Sequence, residues 1–151
     1  MNQKWVAFLR IVLGLFFLAQ GLNKLDWYTS SEFLHTSLDR YSQNPPAITS
    51  WYQGHVAYPG IELWSRMLPT GEMLIGIALA LGFLTQPTLI IALMLVLNYH
   101  LANGTLFSTA FFFNPYDLLL LSCLAALFFS KAGSFLAVDS FTRQKRRTKK
   151  A

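Results

Sequence analysis

The chain has 151 residues, 54% of them hydrophobic and 13% charged, with a net charge of +5. A soluble domain carries about 25% charged residues, so this composition excludes an ordinary water-soluble globule. Nor does the positive balance mark a nucleic-acid surface: Arg143, Lys145, Arg146, Arg147, Lys149 and Lys150 crowd the final nine residues, and a basic tail behind a last apolar run fits the positive-inside rule and anionic headgroups instead.

In chain order, the first apolar run is Val6–Leu22, interrupted only by Arg10 and Gln20. Arg10, Gly14, Phe17, Gly21 and Lys24 recur at helical spacing and share one stripe, a packing seam with a charge at each end. Arg10 reads equally as a topology anchor that snorkels to the interface and as a buried partner. Lys4 ahead of the run gives it the look of a signal peptide, but Arg10 inside it and the poor cleavage site Gly21-Leu22-Asn23-Lys24 favour an uncleaved first span over about 5–25.

An outer loop is expected over about 26–60. Within it Thr29-Ser30-Ser31-Glu32 reads as a capping box for a short amphipathic helix, with Phe33, Leu34, Leu38 and Tyr41 on one face, lying on the membrane surface. Asn44-Pro45-Pro46 ends that helix. Trp27, Tyr28, Trp51, Tyr52, Tyr58 and Trp64 are expected to anchor the loop at the interface rather than to form a ligand cage.

A second span is expected over about 66–85. Glu62 and Arg66, at i,i+4, allow the helix to start earlier, with Pro69 kinking it; alternatively Thr70 caps a fresh helix. Gly76/Ala80 and Ala78/Gly82 are spaced for close helix approach. The third span, about 87–103, carries Asn98 and His100, and the fourth, about 114–131, opens on Asn114-Pro115 with Asp117 in its first turn. Asn103-Gly104-Thr105 matches a glycosylation sequon by chance. Ala132-Gly133-Ser134 breaks the last span, with Phe135, Leu136, Val138 and Phe141 at the inner interface.

These segments predict an all-α fold: an integral membrane four-helix bundle forming one domain over 1–142, then a basic cytoplasmic tail at 143–151. Three spans with a re-entrant segment is the alternative. With both termini cytoplasmic, Lys4, Arg10, Lys131 and the tail charges fall inside, and only Lys24, Arg40 and Arg66 outside, which requires an even number of spans.

Direction of travel then sorts the polar residues. Gln20, Lys24, Glu72, Asn98, His100 and Asp117 reach one level near the outer face, while Arg10 stands apart near the inner. An ionisable group in hydrocarbon costs ~2.5–3.5 kcal/mol, so it is kept only when paired or used. Two readings stand: Lys24 pairs structurally with Glu72 or Asp117, or Gln20, Lys24, Glu72, His100 and Asp117 line a substrate pocket. Cys123 is the only cysteine and His35, His55 and His100 the only histidines. No metal site, membrane haem or dithiol is expected from that inventory. Redox chemistry would need a diffusible quinone or a partner subunit's cofactor. For a quinone, Lys24, His100 and Gln20 offer donors to its carbonyls.

The stripe Arg10-x3-Gly14-x2-Phe17-x3-Gly21-x2-Lys24-Leu25 resembles the first helix of the DoxX family of small four-helix membrane proteins. Leu68-Pro69-x-Gly71-Glu72-x3-Gly76-x5-Gly82, followed by Thr85-Gln86-Pro87, is similar to its second. Ala132-Gly133-Ser134-x4-Asp139 is similar, with looser spacing, to the family's closing motif. The third and fourth helices match mainly by hydropathy, and the outer loop is longer than in many members. The resemblance implies a bacterial inner-membrane protein, working with a partner subunit or as a homo-oligomer, like the small subunit of thiosulfate:quinone oxidoreductase or members tied to redox stress and thiol balance. It transfers no catalytic set; Arg10, Lys24 and Glu72 are the positions that match. The expected function is a subunit or accessory of a quinone-linked oxidoreductase. A non-catalytic membrane scaffold and a small-molecule transporter are the alternatives.

Overall fold

The computed structural model describes residues 2–41, 45–106, 115–130, 132–134 and 136–139, and among them there is no strand. Helix α1 spans Gln3–Leu22, and a 3₁₀ turn at Leu25–Tyr28 leads to α2, Glu32–Tyr41. Helix α3, Ala47–Tyr52, runs on into a π turn at Gln53–Ala57. Helices α4 (Ile61–Leu81), α5 (Thr85–Ala102) and α6 (Pro115–Phe129) follow, and a 3₁₀ turn at Ala132–Ser134 comes after them. Asn44, Asn114, Lys131, Phe135, Phe141 and residues 143–151 lie outside the described residues, as do the side chains of Tyr41 and Asp117.

The four long helices adjoin in a ring, α1 against α4, α4 against α5, α5 against α6 and α6 against α1. Leu13, Phe17, Leu79, Leu89, Val96 and Leu124 meet at its centre. The outward faces are also apolar, with Phe8, Leu15, Leu74, Ile91, Met94 and Leu119 exposed. Helices α1 and α5 are long and apolar enough to cross a membrane. Helix α4 is as long but carries Glu62, Arg66 and Glu72, and the apolar stretch of α6, Leu118–Phe129, is shorter.

The closest contact is between α1 and α4, and glycine makes it. A Cβ on Gly14 would lie 2.6 Å from the Ala80 backbone nitrogen, and one on Gly76 2.5 Å from that of Leu18. A Cβ on Gly21 would meet the Pro69 carbonyl oxygen at 2.8 Å. The seam expected on α1 is therefore real, and its partner is the small-residue pair Gly76/Ala80. Helix α4 is continuous through Pro69, so Thr70 starts no new helix; its hydroxyl donates back to the Arg66 carbonyl at 2.7 Å.

At the end of the ring holding Arg10, Gly82 closes α4 in the left-handed region at φ 68°. A side chain there would strike Ala137 and the Arg10 guanidinium at 2.5 and 2.8 Å. Leu84 follows at φ 45°, a region costly for a branched residue. The Asp139 carboxylate holds it there, accepting from Leu84 N at 2.9 Å and Thr85 N at 2.8 Å, and so caps α5 from 54 residues away. Arg10 is fully buried and donates to the carbonyls of Ala132, at 2.9 Å, and Leu136. Of its two readings, the buried partner is the one observed.

The opposite end is covered by α2 and α3. Helix α2 turns Leu34 and Leu38 inward, buried against Ala57, Leu68 and Ala102, while Phe33 stays exposed. That face finds the ends of α4 and α5, which leave apolar surface uncovered, so the helix is a lid. Its start also differs from the expected capping box. Ser30 Oγ accepts from Glu32 N at 3.1 Å, while Thr29 Oγ1 donates to Asp26 O.

Replacing Gly76 by Ala pushes α1 away from α4 and is expected to destabilise by about 1–3 kcal/mol. A methyl group added at Gly71 would meet nothing within 4 Å, so Gly71→Ala should stabilise by ~0.5–1 kcal/mol. Thermal unfolding of the two variants in detergent checks both signs.

Candidate functional site

Helix α1 ends at Leu22, before Lys24, which sits in the bend leading to the 3₁₀ turn. The close approach of α1 at Gly21 carries that bend over α4 and turns Lys24 onto Glu72. Lys24 Nζ lies 2.6 Å from Glu72 Oε1 and 2.7 Å from Oε2. Tyr99 of α5 donates its hydroxyl to the same Oε1 at 2.9 Å. The Glu72 side chain is 4% exposed and that of Lys24 18%, so the pair is largely sheltered from water. The ammonium also lies 5.3 Å from the centre of the Tyr99 ring and 5.8 Å from that of Trp27, within cation–π range. A buried carboxylate here is matched by one cation and one hydroxyl, and the cluster carries no net charge.

Two cavities meet at this cluster. The lateral chamber, about 390 Å³, lies between α1, α4, α5 and α6; Gln20, Lys24, Glu72, Tyr99, His100, Asn103 and Thr105 supply its polar groups, and Phe16, Phe17, Val96 and Leu120 its apolar walls. The lid chamber, about 220 Å³, lies beneath α2 and is walled by Trp27, Leu34, Leu38, Tyr52, Trp64 and Leu68, with Lys24, Asn98 and Tyr99 on its floor. Lys24, Tyr99 and Asn103 border both.

The lid chamber owes its shape to the π turn. An i→i+5 bond from Tyr58 N to Gln53 O, at 2.9 Å, widens the helix so that Tyr52 and Gln53 both face α5. The Tyr52 hydroxyl donates to Asn98 Oδ1 at 2.5 Å and Gln53 Nε2 to Ala102 O at 2.8 Å. Burial raises the Tyr52 phenol above its ordinary pKa, which keeps it a donor. On the far side Trp64 Nε1 donates to Val56 O at 3.0 Å, fixing the indole as a wall.

A family model described as DoxX matches residues 5–104. The chain belongs to the DoxX family. It is accordingly a membrane protein of that family, and its apolar outer faces agree. No curated protein and no solved structure matches the chain.

In this DoxX-family chain, four of the residues expected to share a pocket, Gln20, Lys24, Glu72 and His100, line the lateral chamber together. His100 is buried and its Nδ1 lies 2.9 Å from Thr105 Oγ1, so the third residue of the apparent sequon is a hydrogen-bond partner. Helix α6 carries Asp117 in its first turn, but that side chain lies outside the described residues. Lys24 takes Glu72 as its partner. Tyr99 was not foreseen, although its place between Asn98 and His100 in an apolar helix was the available signal. The aromatic loop residues do not act alike: Trp27, Tyr52 and Trp64 turn inward as chamber walls, while Trp51 stays exposed. Among the described residues, His, Cys, Asp and Glu nowhere gather in a group of three that could hold a metal.

Breaking the pair strands a charge. Lys24→Met or Glu72→Gln alone should destabilise by about 3–5 kcal/mol, and the double variant by clearly less than either; urea or thermal unfolding of the four proteins measures the difference. A separate link fastens the lid. Tyr58 donates to Asp39 Oδ1 at 2.7 Å, and His35 Nδ1 stands 2.9 Å from Oδ2. The Tyr58 bond first, then the His35 contacts, hold the Asp39 carboxyl below its ordinary pKa despite an opposing desolvation. Its contribution is therefore complete above the ordinary aspartate pKa and is lost as pH falls through the depressed one. Tyr58→Phe should return the Asp39 titration upward, read by carboxyl-carbon NMR.

Proposed function

We propose that this chain is a four-span subunit of a bacterial inner-membrane, quinone-linked oxidoreductase, with both termini in the cytoplasm. The lid end then faces outward and the lateral chamber receives a quinone ring. One observation carries the reading: the lateral chamber pairs hydrogen-bonding groups with apolar walls and, among the described residues, has no net charge to satisfy. Its volume of about 390 Å³ falls within the range of small-molecule sites. Lys24 is already held by both oxygens of Glu72, so an anionic substrate would have to displace an internal carboxylate, whereas a neutral ring would not.

Gln20 and His100 are the groups that would hold and orient the ring carbonyls. Phe16 and Phe17 exclude water on the α1 side, and Phe16 lies partly on the apolar perimeter, where a prenyl tail could leave. A bound quinone supplies two-electron, two-proton redox chemistry, with the electrons exchanged through a partner subunit. The Tyr99 hydroxyl holds a proton against Glu72 Oε1, and Lys24 stabilises that carboxylate as the proton acceptor. The scaffold reading draws on the same ion pair as a purely folding element.

Purified in mild detergent, the protein should retain about one quinone per chain by native mass spectrometry. The double variant Gln20→Leu with His100→Phe should lower retained quinone by roughly tenfold or more, as expected for two lost hydrogen bonds. Quinone no higher than in an unrelated membrane protein prepared alike overturns the reading and leaves the scaffold.

A further inference from the structure

The lid chamber is distinct from the lateral one and is not explained by it. Its walls mix aromatic and aliphatic side chains, and two of its polar groups are donors that face it. Asn98 Oδ1 is taken by Tyr52, which leaves the Asn98 amide nitrogen as a donor. The Lys24 ammonium has three protons and spends two on Glu72. Both donors border the chamber. A cation is disfavoured, because the Lys24 ammonium already lies over the Trp27 and Tyr99 rings. An anion would compete with Glu72 for Lys24. What remains is an uncharged ring that stacks on indole and accepts hydrogen bonds.

Size narrows the class. A cavity of about 150 Å³ admits benzene, and the chamber measures about 220 Å³, which suits one ring with a short substituent or a compact bicycle. Access is through α2, where half-buried Ser37 borders the chamber, and not through the ring of long helices. We propose that the lid chamber is a second binding site, for a small uncharged aromatic molecule bearing a carbonyl or similar acceptor, entering beneath α2. The site stands independently of the quinone reading. Because Lys24 and Tyr99 border both chambers, occupancy of one is felt at the ion pair that borders the other.

Trp27 and Trp64 report on this chamber and not on the lateral one, which neither borders. With Trp5 and Trp51, 68% and 59% exposed, replaced by Phe, they are the remaining tryptophans. Titrating acetophenone into that protein in detergent should quench its emission saturably. Benzoate and benzylammonium should give only linear, collisional quenching. Ser37→Phe, which fills the chamber, should remove the saturable phase, and Asn98→Leu, which keeps the volume but loses the donor, should weaken it roughly fivefold. Circular dichroism confirms folding of each variant. Linear quenching by acetophenone in the parent overturns the proposal. So does saturable quenching that benzoate equals, or that folded Asn98→Leu and Ser37→Phe leave unchanged. Quinone retention measured on the same preparations tests the lateral chamber separately.

Discussion

The site depends on how near α1 comes to α4. Where Gly14 faces Gly76 and Ala80, backbone meets backbone, and Gly21 packs against the Pro69 carbonyl and the backbone and Cγ of Met73. That proximity brings the bend after α1 over α4 and lets the Lys24 ammonium reach both oxygens of Glu72 at 2.6 and 2.7 Å. A methyl group's thickness added to the seam would lift the ammonium off the carboxylate and leave two sheltered charges unmatched. Packing and electrostatics are thus one constraint here: the glycines matter because of the charges, and the charges are tolerable because of the glycines.

The other end of the same stripe solves its charge differently. Arg10 finds carbonyl oxygens of the segment that follows α6, and Asp139 of that segment caps α5. The late segment is thereby fixed to the beginning of the chain and to the turn between α4 and α5. Leu84 can occupy a left-handed conformation because its N–H has a carboxylate waiting for it. No neighbouring side chain makes the cap bond at the start of α5, and Asp139 supplies it from a distance.

Much of this was legible beforehand. The spacing Arg10, Gly14, Phe17, Gly21, Lys24 identified the seam, and direction of travel along the spans brought Gln20, Lys24, Glu72 and His100 to one level, where the structure gives them a common chamber. Helical periodicity and burial cost are local or one-dimensional, so they can be read from a chain. The lid was not legible, because an amphipathic helix with Leu34 and Leu38 on one face looks the same whether that face meets lipid or protein. Tyr52 and Trp64 were misjudged for a related reason: an aromatic side chain suits a membrane interface and a cavity wall equally, and only the π turn decides which. The capping role of Asp139 was hidden because the helix it caps starts 54 residues away.

The polarity of the cluster limits what either chamber can hold. Glu72 receives the Lys24 ammonium and the Tyr99 hydroxyl, so its charge is neutralised within the protein before any ligand arrives. A site built to capture an anion leaves a cation unmatched, and a site built for a cation leaves a carboxylate so. Here neither is left over, and the remaining polar groups are donors and dipoles set among aromatic rings. Such an arrangement discriminates by hydrogen-bond pattern and shape, since an uncharged ligand gains its bonds without separating Lys24 from Glu72, whereas a charged one must first part them at a cost. In the proposed sites, the ion pair and the glycine seam that holds it closed would favour neutral ligands over charged ones.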